Sequence, residues 1–163
     1  MGLLKQRKQT LATAESCTGG LITNQITNVS GASEVFLAGY VTYANSAKSD
    51  VLNIDSKLIK KHGAVSEAIA RAMAEGACTR AASTFGLATT GVAGPTGGSD
   101  EKPVGTVYIA LASEDSETVG RKLFFPTDRE TFKQLAAQAA LDLLRRRLLK
   151  GAAGHSERSR RTP

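Results

Sequence analysis

The chain has 163 residues, of which 41% are hydrophobic and 22% charged, a composition typical of one globular domain. Its net charge of +6 belongs to residues 145–163, which hold seven basic and one acidic side chain, whereas residues 1–144 hold 14 of each. Because residues 1–144 have no net charge, they are not expected to form the broad basic surface that nucleic-acid binding requires. We expect the excess positive charge to belong to a basic C-terminal tail.

Short apolar runs alternate with helix-forming stretches over the first ninety residues. This alternation predicts strands connected by helices, the pattern of a parallel sheet. The predicted strands are Thr10–Ala14, Val35–Tyr43 and Leu87–Gly91. The predicted helices are Leu21–Val29 with Thr18 as N-cap, Asn45–Leu52, Lys57–Lys61 capped by Asp55, and Ala68–Thr84 capped by Ser66.

The last part of the chain predicts a hairpin followed by a helix. Val104–Ala112 and Thr118–Phe125 are rich in strand formers, and Asp128 is a suitable cap for a helix from Arg129 to about Leu149. Together these elements predict an α/β fold, a three-layer α/β/α domain with a mixed sheet, over residues 1–150. Gly151–Pro163 has no hydrophobic period and is expected to be a disordered basic tail.

Cysteine and histidine are too sparse for several classes of site. Cys17 and Cys78 cannot form a disulfide framework and lack metal-type spacing, and the only histidines are His62 and His155. The apolar runs are far shorter than the roughly 20 residues of a membrane span, and no basic-then-apolar leader opens the sequence. We therefore expect a soluble cytoplasmic protein without a metal site.

Three glycine-bearing junctions follow predicted strands, where ligands of open α/β folds bind. The first, Glu15–Gly20, places Ser16 and Thr18 between a strand and a helix, and its paired Gly19 and Gly20 let a ligand approach the backbone. Hydroxyl groups there can act as nucleophiles, and the N–H groups of a helix start can hold an oxyanion. The same pattern is also typical of a capped, tightly packed helix, so both interpretations stay open.

The other two junctions are Gly39–Lys48 and Thr90–Ser99. The former carries Tyr43 and Lys48, and a buried lysine loses its proton readily enough to serve as a general base, although an isolated lysine is more often solvated. The latter has four glycines in eight residues, typical of loops whose amides cradle phosphate, although it could also be merely flexible. Serine and lysine are thus the most economical nucleophile and base, because no histidine is placed to activate Cys17.

At these junctions the sequence resembles the C-terminal domain of the CinA competence/damage-inducible family, which also includes nicotinamide mononucleotide (NMN) deamidases of the PncC type. The resemblance covers about residues 10–149. The matching segments are Ala14–Gly20, Gly31–Ser33 with Phe36, Tyr43–Lys48, Gly63–Ser66, Gly91–Gly98 and Lys102–Val107.

The resemblance implies a self-associating amidohydrolase that converts NMN to nicotinate mononucleotide and ammonia in pyridine nucleotide recycling, with no cofactor. It implies a Ser/Lys catalytic pair at Ser16 and Lys48, with Tyr43 and Ser33 in the same pocket. The choice between Ser16 and Ser33 as nucleophile stays open. Arg129 is a candidate for the substrate phosphate, and amides near Thr18 to Gly20 are candidates for the oxyanion. The implied substrate-binding residues are Thr18, Gly19, Gly20, Thr90, Gly91, Gly94, Gly97 and Gly98.

Two other functions are compatible with the sequence. The chain could be a non-catalytic nucleotide-binding module of the same family, although every candidate catalytic side chain is present. Its basic tail, Gly151–Pro163, could also bind nucleic acid, but such contacts would be non-specific and salt-dependent. We regard both as less favoured than the enzyme.

Overall fold

The computed structural model describes the backbone of residues 1–158 and the side chains of residues 1–150. A five-stranded mixed sheet forms its centre, in the order β2-β1-β3-β4-β5. Strand β1 pairs in parallel with β2 and β3, whereas β4 is antiparallel to both β3 and β5. The strands are β1 (Leu11–Glu15), β2 (Phe36–Val41), β3 (Phe85–Gly91), β4 (Thr106–Ser113) and β5 (Ser116–Phe124).

Helices cover both faces of the sheet and enclose two separate apolar cores. One core, around Leu52, Ile69 and Met73, lies under α3, α4 and α5. The other, around Ile22 and Phe132, lies under α1, α2 and α6. The helices are α1 (Gly2–Gln6), α2 (Leu21–Thr27), α3 (Asn45–Leu52), α4 (Ser56–His62), α5 (Glu67–Ala81) and α6 (Arg129–Arg158), with a 3-10 turn at Ala32–Glu34. The predicted three-layer α/β/α class is confirmed.

Some predicted helix ends are wrong for local reasons. Thr18 is not the N-cap of α2: that position is Gly20, in the left-handed region at φ 94°, because the Thr18 hydroxyl donates instead to the Glu15 carboxylate. Helix α5 ends at Ala81, before the predicted Thr84, since Ala82 turns left-handed at φ 47°.

The C-terminal helix extends further than its sequence predicts. Helix α6 continues to Arg158, past the expected end near Leu149. Residues 151–158, which were expected to be disordered, continue this helix, whereas residues 159–163 lie outside the described residues, so for them disorder stays a prediction.

The parallel strands bring three chain exits to one edge of the sheet. Strands β1, β2 and β3 run in the same direction and end at Glu15, Val41 and Gly91. The ladders continue one step past these ends, since Thr42 donates its amide to the Glu15 carbonyl and Ser16 donates to the Thr89 carbonyl. All three junctions singled out in the sequence therefore meet at this edge.

Helix α5 packs unusually close to strand β3. The inward positions of α5 are alanines, among them Ala70, Ala74 and Ala77, each fully buried. A Cβ at Gly86 of β3 would overlap the Ala74 carbonyl oxygen and lie 2.9 Å from the Cys78 nitrogen. Glycine at position 86 therefore sets the spacing between the helix and the sheet.

We expect Gly86→Ala to destabilise the fold by about 1–3 kcal/mol or more, because the added methyl group meets helix backbone that cannot turn aside. Gly2→Ala is the control, since nothing lies within 4 Å of a Cβ there. Urea unfolding followed by circular dichroism measures both. A free energy of unfolding for Gly86→Ala equal to that of the wild type would contradict this packing.

Candidate active site

Ser16 and Lys48 lie together at the shared edge of the sheet. Ser16 is the first residue after β1, and Lys48 is within α3, the helix that follows β2. The Lys48 Nζ is 3.2 Å from the Ser16 Oγ, although the two residues are 32 positions apart in sequence. Only 1% of the Lys48 surface is exposed, so its amine sits in a nearly dry environment. The sequence-based expectation of a solvated lysine does not apply here.

Two backbone carbonyls fix the direction of the lysine amine. Its Nζ donates to the Thr42 carbonyl oxygen at 2.8 Å and to that of Tyr43 at 3.1 Å. A neutral amine has two N–H donors and one lone pair, so these carbonyls use both donors. As an ammonium, Lys48 would also donate to the Ser16 Oγ, whereas in the neutral form its lone pair faces the Ser16 hydroxyl. In that neutral form the geometry is suited to acceptance of the hydroxyl proton.

Burial also favours the neutral form of this amine. Desolvation lowers the pKa of Lys48 from the ordinary lysine value of 10.5, and the nearby Cys17 has a smaller effect in the opposite direction. No carboxylate hydrogen-bonds to the amine among the described side chains. The site therefore lowers the basicity of Lys48 by removing water from it.

Thr90 flanks Ser16 on the side opposite the β2 strand. Glu15 is the register partner of Thr89, so the next residues, Ser16 and Thr90, are neighbours across the two strands and share a sheet face. The Thr90 hydroxyl donates to the Ala64 carbonyl at 2.8 Å, which joins β3 to the segment before α5. Its oxygen keeps lone pairs with which it can accept a further hydrogen bond.

The start of α2 is occupied by the protein itself. The carboxylate of Glu15, fully buried, accepts the backbone amides of Gly20, Ile22 and Thr23 at 2.8–3.0 Å. The Gly19 amide donates to the Ser16 carbonyl. The expectation that amides at Gly19 and Gly20 hold an oxyanion is therefore wrong, because both amides already have partners within the chain.

Ser33 lies at the other end of the sheet. It belongs to the 3-10 turn that precedes β2, whereas Ser16 follows the parallel strand β1. The six residues of β2 span about 20 Å at roughly 3.3 Å per residue. The expectation that Ser33 lines the same pocket is wrong within one chain, and Ser16 is the serine that meets Lys48.

Tyr43 contributes its backbone carbonyl to the site. Its ring and the side chain of Arg129 form the border of the site, which we call the rim. Its carbonyl holds Lys48, while its side chain is 60% exposed and its hydroxyl accepts a hydrogen bond from the Arg129 guanidinium at 3.0 Å. A second guanidinium nitrogen of Arg129 donates to the Gly94 carbonyl at 2.8 Å. Arg129 therefore connects the junction after β2 with the glycine-rich loop.

A cavity of about 410 Å³ adjoins this rim. It lies between the starts of α2 and α6, and its walls carry two cations and one acid. Lys133 also approaches the first junction, since its Nζ would lie 3.9 Å from a Cβ at Gly19. The lining residues are Leu21, Arg129, Glu130, Lys133 and Gln134.

Most glycines of the third junction are needed by the fold. Cβ atoms at Gly91 and Gly98 would lie 2.7 Å from the Thr106 oxygen and 2.8 Å from the Val104 nitrogen. Gly94 is left-handed, at φ 74°, and its Cβ would overlap the Val104 side chain. Gly97 is also left-handed but has open space beside it. Packing against β4 and against Val104, which precedes it, thus explains most of the glycine pattern that suggested a phosphate loop.

Cys17 is poorly suited to nucleophilic attack. Burial raises the pKa of its thiol to about 12, so the thiol stays protonated at neutral pH. Among the described residues, no group of three His, Cys, Asp or Glu side chains is arranged to hold a metal ion. In the same part of the chain, no helix has the length and apolar character needed to cross a membrane.

Sequence reasoning missed Glu15 and Lys133. The signal for Glu15 was its position, a carboxylate at the end of a buried strand and directly before a helix start. The signal for Lys133 was its spacing, since it lies four residues after Arg129 and so on the same helix face.

Comparisons with known proteins agree with one another. The family model of the CinA C-terminal domain matches residues 1–148. CinA-like proteins of Syntrophus aciditrophicus and Geobacter sulfurreducens are 51% and 52% identical over 152 and 147 residues, or 93% and 90% of this chain. These matches cover 36% and 35% of the relatives, so the chain spans about a third of their length.

Solved structures of competence/damage-inducible and CinA superfamily proteins are also similar to this chain over most of its length. The competence/damage inducible protein CihA of Agrobacterium tumefaciens is 38% identical, with a TM-score of 0.84 and 86% of each chain covered. A competence-damaged protein (CinA) superfamily protein of Klebsiella pneumoniae is 32% identical, with a TM-score of 0.87, and the match covers 91% of this chain and 92% of that one.

The lowered pKa of Lys48 has a consequence for stability. Between that pKa and 10.5 the unfolded chain binds a proton that the folded chain does not, so stability rises with pH by up to about 1.4 kcal/mol per pH unit. Lys48→Met should remove this rise, whereas Lys57→Met, at an exposed position, should keep it. Urea unfolding at several pH values measures the effect, and parallel curves for wild type and Lys48→Met would contradict it.

Proposed function

The chain belongs to the CinA C-terminal domain family, and we propose that it is an amidohydrolase that releases ammonia from the carboxamide of NMN. The observation that carries this proposal is the dry pair of Ser16 and Lys48, 3.2 Å apart. Ser/Lys pairs hydrolyse amides on unrelated folds without a metal ion. The family resemblance supplies the substrate, and the product would be nicotinate mononucleotide in pyridine nucleotide recycling.

In the proposed mechanism the two side chains exchange one proton. The neutral Lys48 amine takes the proton of the Ser16 hydroxyl while Oγ attacks the carboxamide carbon. The resulting ammonium returns this proton to the amide nitrogen, the carbon–nitrogen bond breaks, and ammonia leaves. Lys48, neutral again, then takes a proton from water, which attacks the acyl-enzyme and releases the acid. The Ser16 oxygen regains its proton from Lys48.

The tetrahedral intermediate needs donors for its oxyanion. The amides of Cys17 and Thr18 directly follow the nucleophile, and they are not among the amides that the Glu15 carboxylate or the Ser16 carbonyl accepts. We assign them this role in place of Gly19 and Gly20, because one donor of an oxyanion hole is often the amide after the nucleophile. Thr90, beside Ser16, can accept a hydrogen bond from the carboxamide nitrogen.

The substrate phosphate would bind at the cations of the rim, which are Arg129 and the neighbouring Lys133. Arg129 is held by Tyr43 and Gly94 and is thereby oriented before substrate arrives. Lys133 adds a second cation on the same helix face, beside the cavity between α2 and α6. A nucleotide that reaches from Ser16 to this rim would be preferred over free nicotinamide. The self-association that the resemblance implies stays a prediction, as does cytoplasmic location.

We expect Ser16→Ala and Lys48→Ala each to lower ammonia release from NMN by on the order of 10³-fold or more, since each removes one member of the catalytic pair. Ser33→Ala and Lys57→Ala are the matched controls, because both positions are exposed and Ser33 lies at the opposite end of the sheet from Ser16. Release of ammonia by the purified proteins measures the effect. Wild-type rates in both site variants would reject the mechanism, and tight NMN binding without ammonia release by the wild type would indicate a binding module.

Arg129→Ala should raise KM for NMN by roughly 10- to 100-fold, because a charged hydrogen bond contributes about 1.5–3 kcal/mol. The same variant should leave KM for nicotinamide riboside, which has no phosphate, nearly unchanged. Gln134→Ala changes an uncharged wall of the same cavity and serves as the control. Equal effects of Arg129→Ala on both substrates would place the phosphate elsewhere.

A further inference from the structure

We propose that Glu15 is a positioning residue for Ser16, and this inference rests on the proposed role of Ser16 as nucleophile. Glu15 is fully buried at the end of β1, immediately before the serine. Its side chain lies on the α2 side of the sheet, whereas Ser16 faces Lys48 on α3. The carboxylate therefore hydrogen-bonds to neither the Ser16 hydroxyl nor Lys48. It acts through the turn of residues 16–19, which connects β1 to α2.

Five donors converge on this one carboxylate. Its Oε2 accepts the Thr18 hydroxyl at 2.6 Å and the amides of Gly20 and Ile22 at 3.0 Å. Its Oε1 accepts both the amide and the hydroxyl of Thr23 at 2.8 Å. A buried carboxylate is tolerated only with such compensation, and here the donors include three backbone amides at a helix start.

These contacts close the turn that carries Ser16. The amide of Ser16 is bound to the Thr89 carbonyl on β3, and the Glu15 carbonyl accepts the Thr42 amide from beyond β2. The carboxylate adds a third attachment by tying the strand end to Thr18 and to the first turn of α2. The path of residues 16–19 is thus held at both ends, and this sets the 3.2 Å distance from Ser16 to Lys48.

A glutamine cannot replace these contacts. Whichever way its amide is turned, the NH₂ group would face at least one of the three backbone N–H groups that the carboxylate now accepts. That N–H would lose its partner, and the strand end and the helix start would separate locally. A displacement of about 1 Å at a nucleophile can cost on the order of 10²-fold in rate.

The test compares Glu15→Gln and the milder Thr18→Val with Asp55→Asn, which alters the exposed carboxylate that caps α4. Urea unfolding gives the folded fraction of each protein. Two rates are then measured per folded molecule: kcat and KM for ammonia release from NMN, and the rate at which a small fluorophosphonate labels Ser16, followed by peptide mass spectrometry. The second rate does not depend on the identity of the natural substrate.

We expect Glu15→Gln to lower kcat and the labelling rate by about 10- to 100-fold with KM changed by less than about threefold, because the nucleophile moves while the rim stays in place. Thr18→Val should show a smaller loss in both rates, and Asp55→Asn none. Folded Glu15→Gln with wild-type labelling would overturn the positioning role.

The outcomes separate this inference from the proposed function. A labelled wild type that releases no ammonia from NMN would reject the substrate, and slower labelling of Glu15→Gln would still support the positioning role. A wild type that is not labelled at Ser16 would overturn the positioning role together with the nucleophile. If Glu15→Gln does not fold, equal labelling of Thr18→Val and wild type overturns it.

Discussion

The burial of one lysine amine is the interaction on which the site depends. Lys48 is held by two backbone carbonyls that belong to Thr42 and Tyr43, the residues that follow β2. These carbonyls hold the amine beside Ser16 only because β2 and β1 are parallel and end side by side, which brings the residues after both strands together. Among the side chains that the structure describes, no carboxylate bonds to this amine, so desolvation lowers its pKa rather than an ion pair raising it.

A second buried ionisable group lies on the other side of the same strand end. The carboxylate of Glu15 is compensated by five hydrogen bonds, including the amides at the start of α2. Because the protein's own carboxylate occupies this helix N-terminus, a substrate anion has no place there. In the proposed function a phosphate is instead received by Arg129 and Lys133, in the first two turns of α6. In this proposal the Ser16–Lys48 pair performs the hydrolysis on one side of the first junction, and Arg129 and Lys133 bind the phosphate on the other side.

The sequence predicted the fold class from local patterns, and the family resemblance then paired two candidates that such patterns could only single out separately. Alternation of strands and helices indicated a sheet with parallel strands, and ligand sites lie at the ends of such strands. Ser16 and Lys48 could be singled out because each follows a predicted strand. Ser33 was placed in the pocket only by the family resemblance, but it precedes β2 whereas Ser16 follows β1, and so the two serines lie at opposite ends of parallel strands.

The errors at α2 have a different origin. A threonine before a helix is a common N-cap, and a helix start is a common oxyanion site. Both expectations assumed that no other acceptor reaches the helix, but the Glu15 carboxylate does so from the preceding strand. Similarly, the glycines at 91 and 98 suggested a phosphate loop, whereas close contacts with β4 and with Val104 require glycine at these positions. Such long-range contacts are not encoded in local residue patterns.

The pH dependence of kcat/KM for ammonia release from NMN tests most directly whether Lys48 is the base. The rate should rise with pH through a single group whose pKa is below 10.5, because desolvation lowers the pKa of Lys48 and only its neutral form can take the Ser16 proton. Lys48→Arg should show no such rise, since a guanidinium stays protonated throughout. A wild-type profile that Lys48→Arg reproduces, or one with no ascending limb below pH 10.5, would contradict the account.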